Sequence, residues 1–349
     1  MRHPNKILII RFSSIGDIVL ATTLLRVARI KYPHAQIDFL TKREYSSLIR
    51  YNPNINNAYE FDSAGGVSSL RKMKRKLLAE QYDLVIDIHN SLRSRYVRKG
   101  IARKIVTIKK HVLARMMLVK FKWNMYHHIV SVADRYIETL KEYGVHNDGK
   151  GLEIYIPDQV RSGAADAVAA LRLNGDEKVF GFCPAAKHAT KRWPQDRFVE
   201  LGIALAQRWK AKIFLFGGPE DINDCGAIAN AINSATGKTS AENLCGKCSL
   251  LETAAMMKYC DVVVSNDTGL MHIAAAMKRK LVALFGSTVK EFGFFPVGTK
   301  SIVLERTDLP CRPCSHIGRA SCPQKHFKCM NDISVGAVFD ACSNMLAGQ

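Results

Sequence analysis

No stretch of this 349-residue chain runs for eighteen apolar residues without a charge, so no membrane-spanning helix is expected. No G-x-G-x-x-G follows the first apolar run, which counts against a nicotinamide oxidoreductase with the usual dinucleotide fingerprint. No short-period repeat and no RNA- or DNA-binding module is visible. Acidic residues are scarce: 31 Asp and Glu stand against 51 Lys and Arg, a formal charge of +20. That excess does not set the fold. It favours an anionic partner, whether nucleic acid, acidic lipid or a phosphorylated substrate.

What is present reads as globular. The chain is 47% hydrophobic and 23% charged, which is not a disordered composition, and its length suits two domains better than one core. The N-terminus, MRHPNKILIIRF, is basic and then apolar, but Arg11 interrupts it before any small-residue cleavage site. It reads as a first strand and not a signal peptide. The protein is therefore expected in the cytoplasm, where ten cysteines favour thiols or a metal site over disulfides.

Strand-like and helical patterns alternate. Lys6–Phe12, 36–41, 58–61, 83–88 and 104–109 are strand candidates, separated by a helical segment from Gly16 to Tyr32, a short helix, and a basic helix from about Ser68 to Glu80. Residues 110–143 read as mostly helical. In the second half, 178–184, 211–216, 261–264 and 281–286 are strands. An amphipathic helix over 195–209 aligns Phe198, Leu201, Leu205 and Trp209. Such alternation implies parallel βαβ units. Two α/β domains are expected, 1–160 and 170–330, with the boundary between Pro157 and Gly175. A last helix within 331–349 is expected to pack back on the first domain. Doubly wound domains bind ligands at the carboxyl ends of their strands, so the residues just after strands carry most information.

Four such places stand out. In SNDTGLMHIAAA (265–276) a buried strand meets a helix that starts near Thr268, where free N–H groups and the positive dipole end suit a diphosphate. Gly269 allows close approach, and His272 lies on the same helical face as Thr268. The plainer alternative is that Asn266 or Asp267 merely caps the helix. In PAAKHATKRWPQDRF (184–198) Lys187, His188, Lys191 and Arg192 share one loop. They could neutralise a departing diphosphate or form a solvated basic loop with Trp193 as a packing anchor. In RFSSIGDIVL (11–20) Asp17 begins a helix. It suits that end electrostatically and is also placed to serve as a general base. In FGGPED (216–221) Glu220 or Asp221 could accept hydrogen bonds from ribose hydroxyls, or cap the next helix.

Two further features are less specific. RKMKRK (71–76) and SLRSRYVRK (91–99) are dense in cations and would suit a phosphate-rich or carboxylate-rich acceptor at a membrane surface, nucleic acid, or a solvated helix face. CRPCSHIGRASCPQKHFKC (311–329) holds Cys311, Cys314, Cys322 and Cys329. The first pair has zinc-knuckle spacing, so a structural zinc is one reading, with His316 and His326 as alternative ligands. No second C-x-x-C follows, and reduced, partly buried thiols are the plainer reading.

Taken together, ILIIRFSSIGDIVLATTLL, PAAKHATKRWP, FGGPED, SNDTGLMHIAAAMKRKLVALFGST and the cysteine segment resemble the ADP-heptose:lipopolysaccharide heptosyltransferase family, from residue 6 to about 335. The resemblance implies a GT-B architecture, two Rossmann-like doubly wound domains facing across a cleft. The first domain would bind the acceptor and the second an ADP-activated sugar. It implies inverting transfer to the inner core of lipopolysaccharide, on Kdo or heptose, with no cofactor and no catalytic metal. By position Asp17 matches the general base, Lys191 the phosphate-binding lysine and Glu220 the ribose contact. Asp267, Thr268, Gly269 and His272 match the donor-binding turn. Arg192 occupies a variable place beside Lys191, and Thr190 stands where members often carry another polar residue. Ser13, Ser14, Arg93 and Arg95 fall to the acceptor side. A cytoplasmic enzyme, peripheral on the inner membrane, follows. The acceptor would be lipopolysaccharide or lipid A-core, and no nucleic-acid partner is expected. A GT-B enzyme with another donor or acceptor is the nearest rival reading.

Overall fold

A computed structural model describes residues 4–171 and 177–348. Of the boundary expected between Pro157 and Gly175, residues 172–175 lie outside that description. The chain forms two units: residues up to Lys110 together with Ser131–Tyr155, and His111–Val130 together with Ile156 onward.

The first unit is built on five strands: β1 (Lys6–Ile10), β2 (Gln36–Lys42), β3 (Asn57–Phe61), β4 (Tyr82–Asp87) and β5 (Ala102–Thr107). They lie in the order β3-β2-β1-β4-β5, all parallel. Ile7 stands opposite Ile37 on one side and Leu84 on the other. Central strands flanked on both edges and covered on both faces must be apolar throughout, and Ile7, Leu8, Ile9 and Ile10 are fully buried. The strand order reverses between β1 and β4, which makes their carboxyl ends the switch point of the sheet.

The helix expected over 16–32 is two helices, Ile15–Leu20 and Thr22–Lys31, meeting at Ala21. Thr22 Oγ1 donates to Val19 O at 2.7 Å and Thr23 Oγ1 to Leu20 O at 3.0 Å, local bonds of the kind that compete with the helical ladder. Residues 110–143 are mostly helical, as expected. Val112–Phe121 and Val132–Ile137 are α-helical and Glu138–Tyr143 is a 3₁₀ helix, while the intervening residues are irregular. The first of these helices ends at Lys122, whose φ is 59°.

The second unit contains β6 (Val179–Cys183), β7 (Lys212–Leu215), β8 (Ala241–Asn243), β9 (Val262–Asn266), β10 (Lys280–Phe285) and β11 (Ser301–Glu305). The order β11-β10-β9-β6-β7-β8, again parallel, is the doubly wound order with its switch between β6 and β9. Phe180, Phe182, Trp193, Phe198, Leu201 and Leu205 belong to its core. The helix expected over 195–209 is found as Gln195–Trp209.

Residues 111–130 group with the second unit although the chain returns to the first after them. The last helix is Val335–Ala347. Val338, Ala341, Cys342 and Met345 recur at helical spacing and lie in the core of the second unit. Phe339 stacks on Trp209 with ring centroids 5.2 Å apart.

One ion cluster holds the end of the first unit to its first helical segment. Arg26 Nε reaches Asp148 at 2.7 Å, Nη1 reaches Glu153 at 2.7 Å and Nη2 donates to Gly151 O at 2.9 Å. Removing a buried guanidinium leaves both carboxylates uncompensated. Arg26→Leu is expected to cost about 2–4 kcal/mol, read as a shift in denaturant midpoint at unchanged slope. Hydrogen bonding to Arg26 holds the Asp148 carboxyl down to about 2. Its stabilisation is therefore complete above the unfolded value near ~4 and is lost as pH falls toward 2. The variant should lose that acid-side dependence.

Candidate active site

In the first unit, Asp17 lies two residues into the helix that follows β1. Its Oδ1 meets Arg11 Nη2 at 2.7 Å and accepts from Tyr136 Oη at 3.0 Å. Its Oδ2 accepts from Ser14 N and Ser14 Oγ, both at 3.1 Å. The helix start is thus a capping box, in which Asp17 reaches back to the residue before the helix. The Asp17 side chain is only 14% exposed. Burial alone would raise its pKa. The Arg11 charge and the hydrogen bonds from Ser14, Arg11 and Tyr136 more than reverse that and hold it below its ordinary value. The group is a carboxylate at neutral pH, with four donors on its two oxygens.

Arg11 spans the carboxyl ends of β1 and β4. Besides Asp17 it donates from Nε to Ser13 O at 2.6 Å and from Nη1 to Ile88 O at 2.8 Å. His89 follows β4, its ring edge-on to Phe12 with centroids 5.7 Å apart. Burial, reinforced by Arg11 and Lys110, pushes its pKa down to about 4, so the imidazole is neutral at pH 7. Ser91 caps the Leu92–Arg98 helix. Arg93 is exposed on it, and Arg95 Nε donates to Asn90 Oδ1 at 3.1 Å. Arg98 is instead tied to the buried Asp87 at 2.7 Å.

In the second unit the loops leaving β6 and β9 are fastened together. The Asn266 amide donates to Pro184 O at 2.7 Å and accepts from Trp193 N at 3.1 Å, while the Trp193 indole donates to Ile333 O at 3.0 Å. Within the loop so closed, Lys191 Nζ stands 2.7 Å from Asp267 Oδ2, which also accepts from Thr288 Oγ1 at 2.6 Å. Thr268 occupies the cap position of the Gly269–Ala276 helix in extended conformation, with no side-chain cap bond. Neither Asn266 nor Asp267 serves as the cap, since both side chains are engaged elsewhere. The N–H groups of that first turn therefore keep the character of an anion site.

The remaining expected residues are placed as follows. Arg192 donates from Nε to Ala186 O at 2.7 Å and reaches Asp224 at 3.6 Å. Thr190 is buried. Its hydroxyl lies 3.1 Å from Ser287 Oγ and accepts from Arg319 N at 2.8 Å, which makes it a prop for the loop. Glu220 is exposed after β7, whereas Asp221 turns inward and accepts from Gly218 N at 2.9 Å. A Cβ on Gly218 would come within 2.5 Å of the Glu220 carboxylate, so the glycine gives that carboxylate room. His272 is buried on the helix, its ring 6.4 Å from that of Phe294.

The cysteine segment does not match the four-thiolate reading. Among the described residues no three His, Cys, Asp or Glu side chains are grouped to hold a metal ion. Cys311 Sγ lies 3.8 Å from His326 Nε2. Burial raises the Cys314 thiol and pushes Cys329 up to about 11. None of the four is in a disulfide; Cys329 is buried and the other three are half-buried.

Arg11, Tyr136, Asn266, Thr288 and His89 were not legible as site residues. Only their positions at or just after strand ends, for all but Tyr136, carried any signal.

Two parallel doubly wound sheets with polar residues gathered at the ends of their strands are the components of a GT-B glycosyltransferase. Known proteins agree. A solved glycosyl transferase family 9 structure from Veillonella parvula matches with a TM-score of 0.82 at 25% identity, over 99% of this chain and 98% of that one. The Escherichia coli ADP-heptose lipopolysaccharide heptosyltransferase II matches at 0.74 and 23%, over 98% and 99%. Lipooligosaccharide heptosyltransferase 2 of Haemophilus influenzae is 30% identical over 300 residues, 82% of this chain and 84% of the relative. The family model described as Glycosyltransferase family 9 (heptosyltransferase) matches residues 70–324. The chain belongs to glycosyltransferase family 9.

Tyr136→Phe removes one donor from the Asp17 carboxylate. The Asp17 pKa is expected to rise toward its ordinary value, measured as the midpoint of its carboxyl carbon resonance in an NMR titration. An unchanged midpoint would show that the phenol does not help hold the charge.

Proposed function

We propose that this enzyme transfers heptose from ADP-heptose to the inner core of lipopolysaccharide, on Kdo or a preceding heptose, with inversion and without a catalytic metal. The observation that carries the reading is the Lys191–Asp267 pair at 2.7 Å beside a helix start with no side-chain cap. A fixed cation and a row of backbone donors suit a departing diphosphate and need no metal. The names of the relatives, heptosyltransferases of lipopolysaccharide and lipooligosaccharide, support the sugar and the acceptor class.

In this reading Asp17 removes the proton from the acceptor hydroxyl. Ser14 is exposed, so its Oγ can turn away and leave Asp17 Oδ2 to accept from that hydroxyl instead. The new oxygen attacks the anomeric carbon on the face opposite ADP. Negative charge grows on the leaving diphosphate, where Lys191, Arg192 and the N–H groups after Thr268 compensate it. Asp267 acts as a positioning residue for Lys191. Glu220 accepts from the ribose hydroxyls, and Gly269 and His272 shape the donor turn. Ser13, Ser14, Arg93 and Arg95 contact the acceptor. No described helix is long and apolar enough to cross a membrane, and the enzyme works peripherally at the cytoplasmic face of the inner membrane, where its lipid-anchored acceptor lies.

The test is transfer from ADP-heptose, against a panel of ADP- and UDP-sugars, to truncated lipopolysaccharide acceptors. Transfer is expected with ADP-heptose and should survive EDTA, with the product's anomeric configuration opposite to the donor's. Preference for another donor would replace the substrate while keeping the class. Asp17→Ala is expected to lower kcat at least ~10²-fold with ADP affinity nearly intact. Lys191→Ala should weaken ADP binding about tenfold or more in calorimetric titration. Full turnover by the Asp17 variant would remove the base assignment.

A further inference from the structure

The Val112–Phe121 helix is turned inside out for a folded protein. At about 100° per residue, positions 112, 113, 116 and 120 fall on one face. Val112, Leu113, Met116 and Lys120 are all exposed there, Val112 at 57% and Leu113 at 58%. The helix's one buried side chain, Leu118, points the opposite way. A surface helix ordinarily hides its apolar stripe. This one hides a single leucine and offers the stripe to solvent, and the irregular residues after it continue the pattern: Phe121 is 65% exposed and Trp123 62%.

The segment is nevertheless anchored. Lys122 Nζ donates to Val119 O, Cys311 O and Pro313 O at 3.0, 3.0 and 2.7 Å, and Asn124 Nδ2 donates to Glu291 Oε1 at 3.2 Å. Those bonds hold its inner side to the second unit and leave the apolar side outward. Charge identifies the occupant. From His111 to Val130 there is no Asp or Glu, and besides the inward-held Lys122 the segment carries Arg115 and Lys120. Two copies of a segment whose charges are all positive repel each other. Apolar and aromatic side chains interleaved with cations instead match the headgroup region of an anionic bilayer.

We propose that residues 112–125 form a membrane-docking element that inserts Val112, Leu113, Met116, Phe121 and Trp123 into the surface of an anionic bilayer. It deepens the peripheral location given above and rests on that reading only for its purpose, to bring the enzyme to a lipid-anchored acceptor. Each cation near such a surface contributes about fivefold to binding, and each inserted large side chain about tenfold.

The experiment is co-sedimentation of the full chain with phosphatidylethanolamine–phosphatidylglycerol vesicles and with phosphatidylcholine vesicles. Transfer to a deacylated, soluble acceptor is measured in parallel. The wild type is expected to bind the anionic vesicles, more weakly at high salt, and to bind the neutral ones poorly. Phe121→Ser/Trp123→Ser and, separately, Lys120→Gln should weaken anionic-vesicle binding at least about tenfold and about fivefold, respectively. Both should leave the thermal midpoint and turnover of the soluble acceptor unchanged. Brominated lipid should quench the wild-type tryptophan fluorescence and quench the double variant less. Equal vesicle binding by wild type and double variant overturns the proposal. So does a self-association, seen by analytical ultracentrifugation, that the double variant abolishes. Failure to bind vesicles with soluble transfer intact overturns this element alone, whereas vesicle binding without any transfer leaves it standing and removes the proposed reaction.

Discussion

The candidate donor site in the second unit depends on the side-chain amide of Asn266. A doubly wound sheet opens a crevice where its strand order reverses, and in the second unit that point lies between β6 and β9. Loops leaving the two strands would diverge there. Asn266, the last residue of β9, bonds both ends of the loop that leaves β6, at Pro184 O and Trp193 N. The stretch between them, with Lys187, His188, Lys191 and Arg192, becomes a closed loop whose shape does not depend on its charges. Its repulsion is offset inside the loop by Asp267, which faces Lys191, and outside it by Trp193, whose indole is buried and bonded to Ile333 O. A lysine held at a fixed point loses little freedom when a phosphate arrives, so more of its attraction is available to the reaction.

The first unit solves the opposite problem. A base must be ionised to accept a proton, and a buried carboxylate tends not to be. Arg11, Ser14 and Tyr136 keep Asp17 ionised despite its burial. As the base of the proposed reaction Asp17 would be a weak one, and proton removal would come late, as the acceptor oxygen is already bonding to the sugar and its own acidity has risen, the regime in which a positioned weak base is useful. His89, neutral because burial and the neighbouring cations suppress its protonation, adds no second positive charge next to Arg11. The charge balance at the ends of β1 and β4 therefore stays with the Arg11–Asp17 pair.

Much of this was legible in the chain. Apolar runs located nine of the eleven strands because buried parallel strands must be apolar, and Phe198, Leu201, Leu205 and Trp209 marked one helix by spacing alone. The edge strands β8 and β11 were missed: AEN and SIVLE sit at the margins of the sheet, where burial demands less. The positions of Asp17, Lys191 and Asp267 followed from the rule that ligands gather after strands. Their partners did not. Tyr136 reaches Asp17 across 119 residues, and a phenol in the middle of a helix has no local pattern that distinguishes it. Within the mostly helical stretch 110–143, residues 122–130 are irregular because aromatic and histidine residues, weak helix formers, fill them and Lys122 leaves the helical region at their start.

The segment after β11 shows how local spacing can mislead about what organises a loop. Four cysteines left a metal cross-link open beside the plainer reading of free thiols, and the described residues bring no three ligands together. The linking group is Arg312. Its Nε donates to Gly286 O at 2.5 Å and its Nη2 to Thr288 O at 2.7 Å. Nη1 donates to Arg306 O, and the Glu305 carboxylate lies 2.7 Å from Nη2. One planar guanidinium thereby joins the end of β10, the end of β11 and the loop beyond, using the fork of donors that makes arginine suited to buried ion pairs. The same loop then reaches Thr190 through the backbone of Arg319. Thr288, whose carbonyl Arg312 holds, is the residue whose hydroxyl steadies Asp267 against Lys191. Arg312 therefore supports Lys191, the lysine proposed to bind phosphate, from two directions, a role that its place in a C-R-P-C sequence hid behind the cysteines on either side.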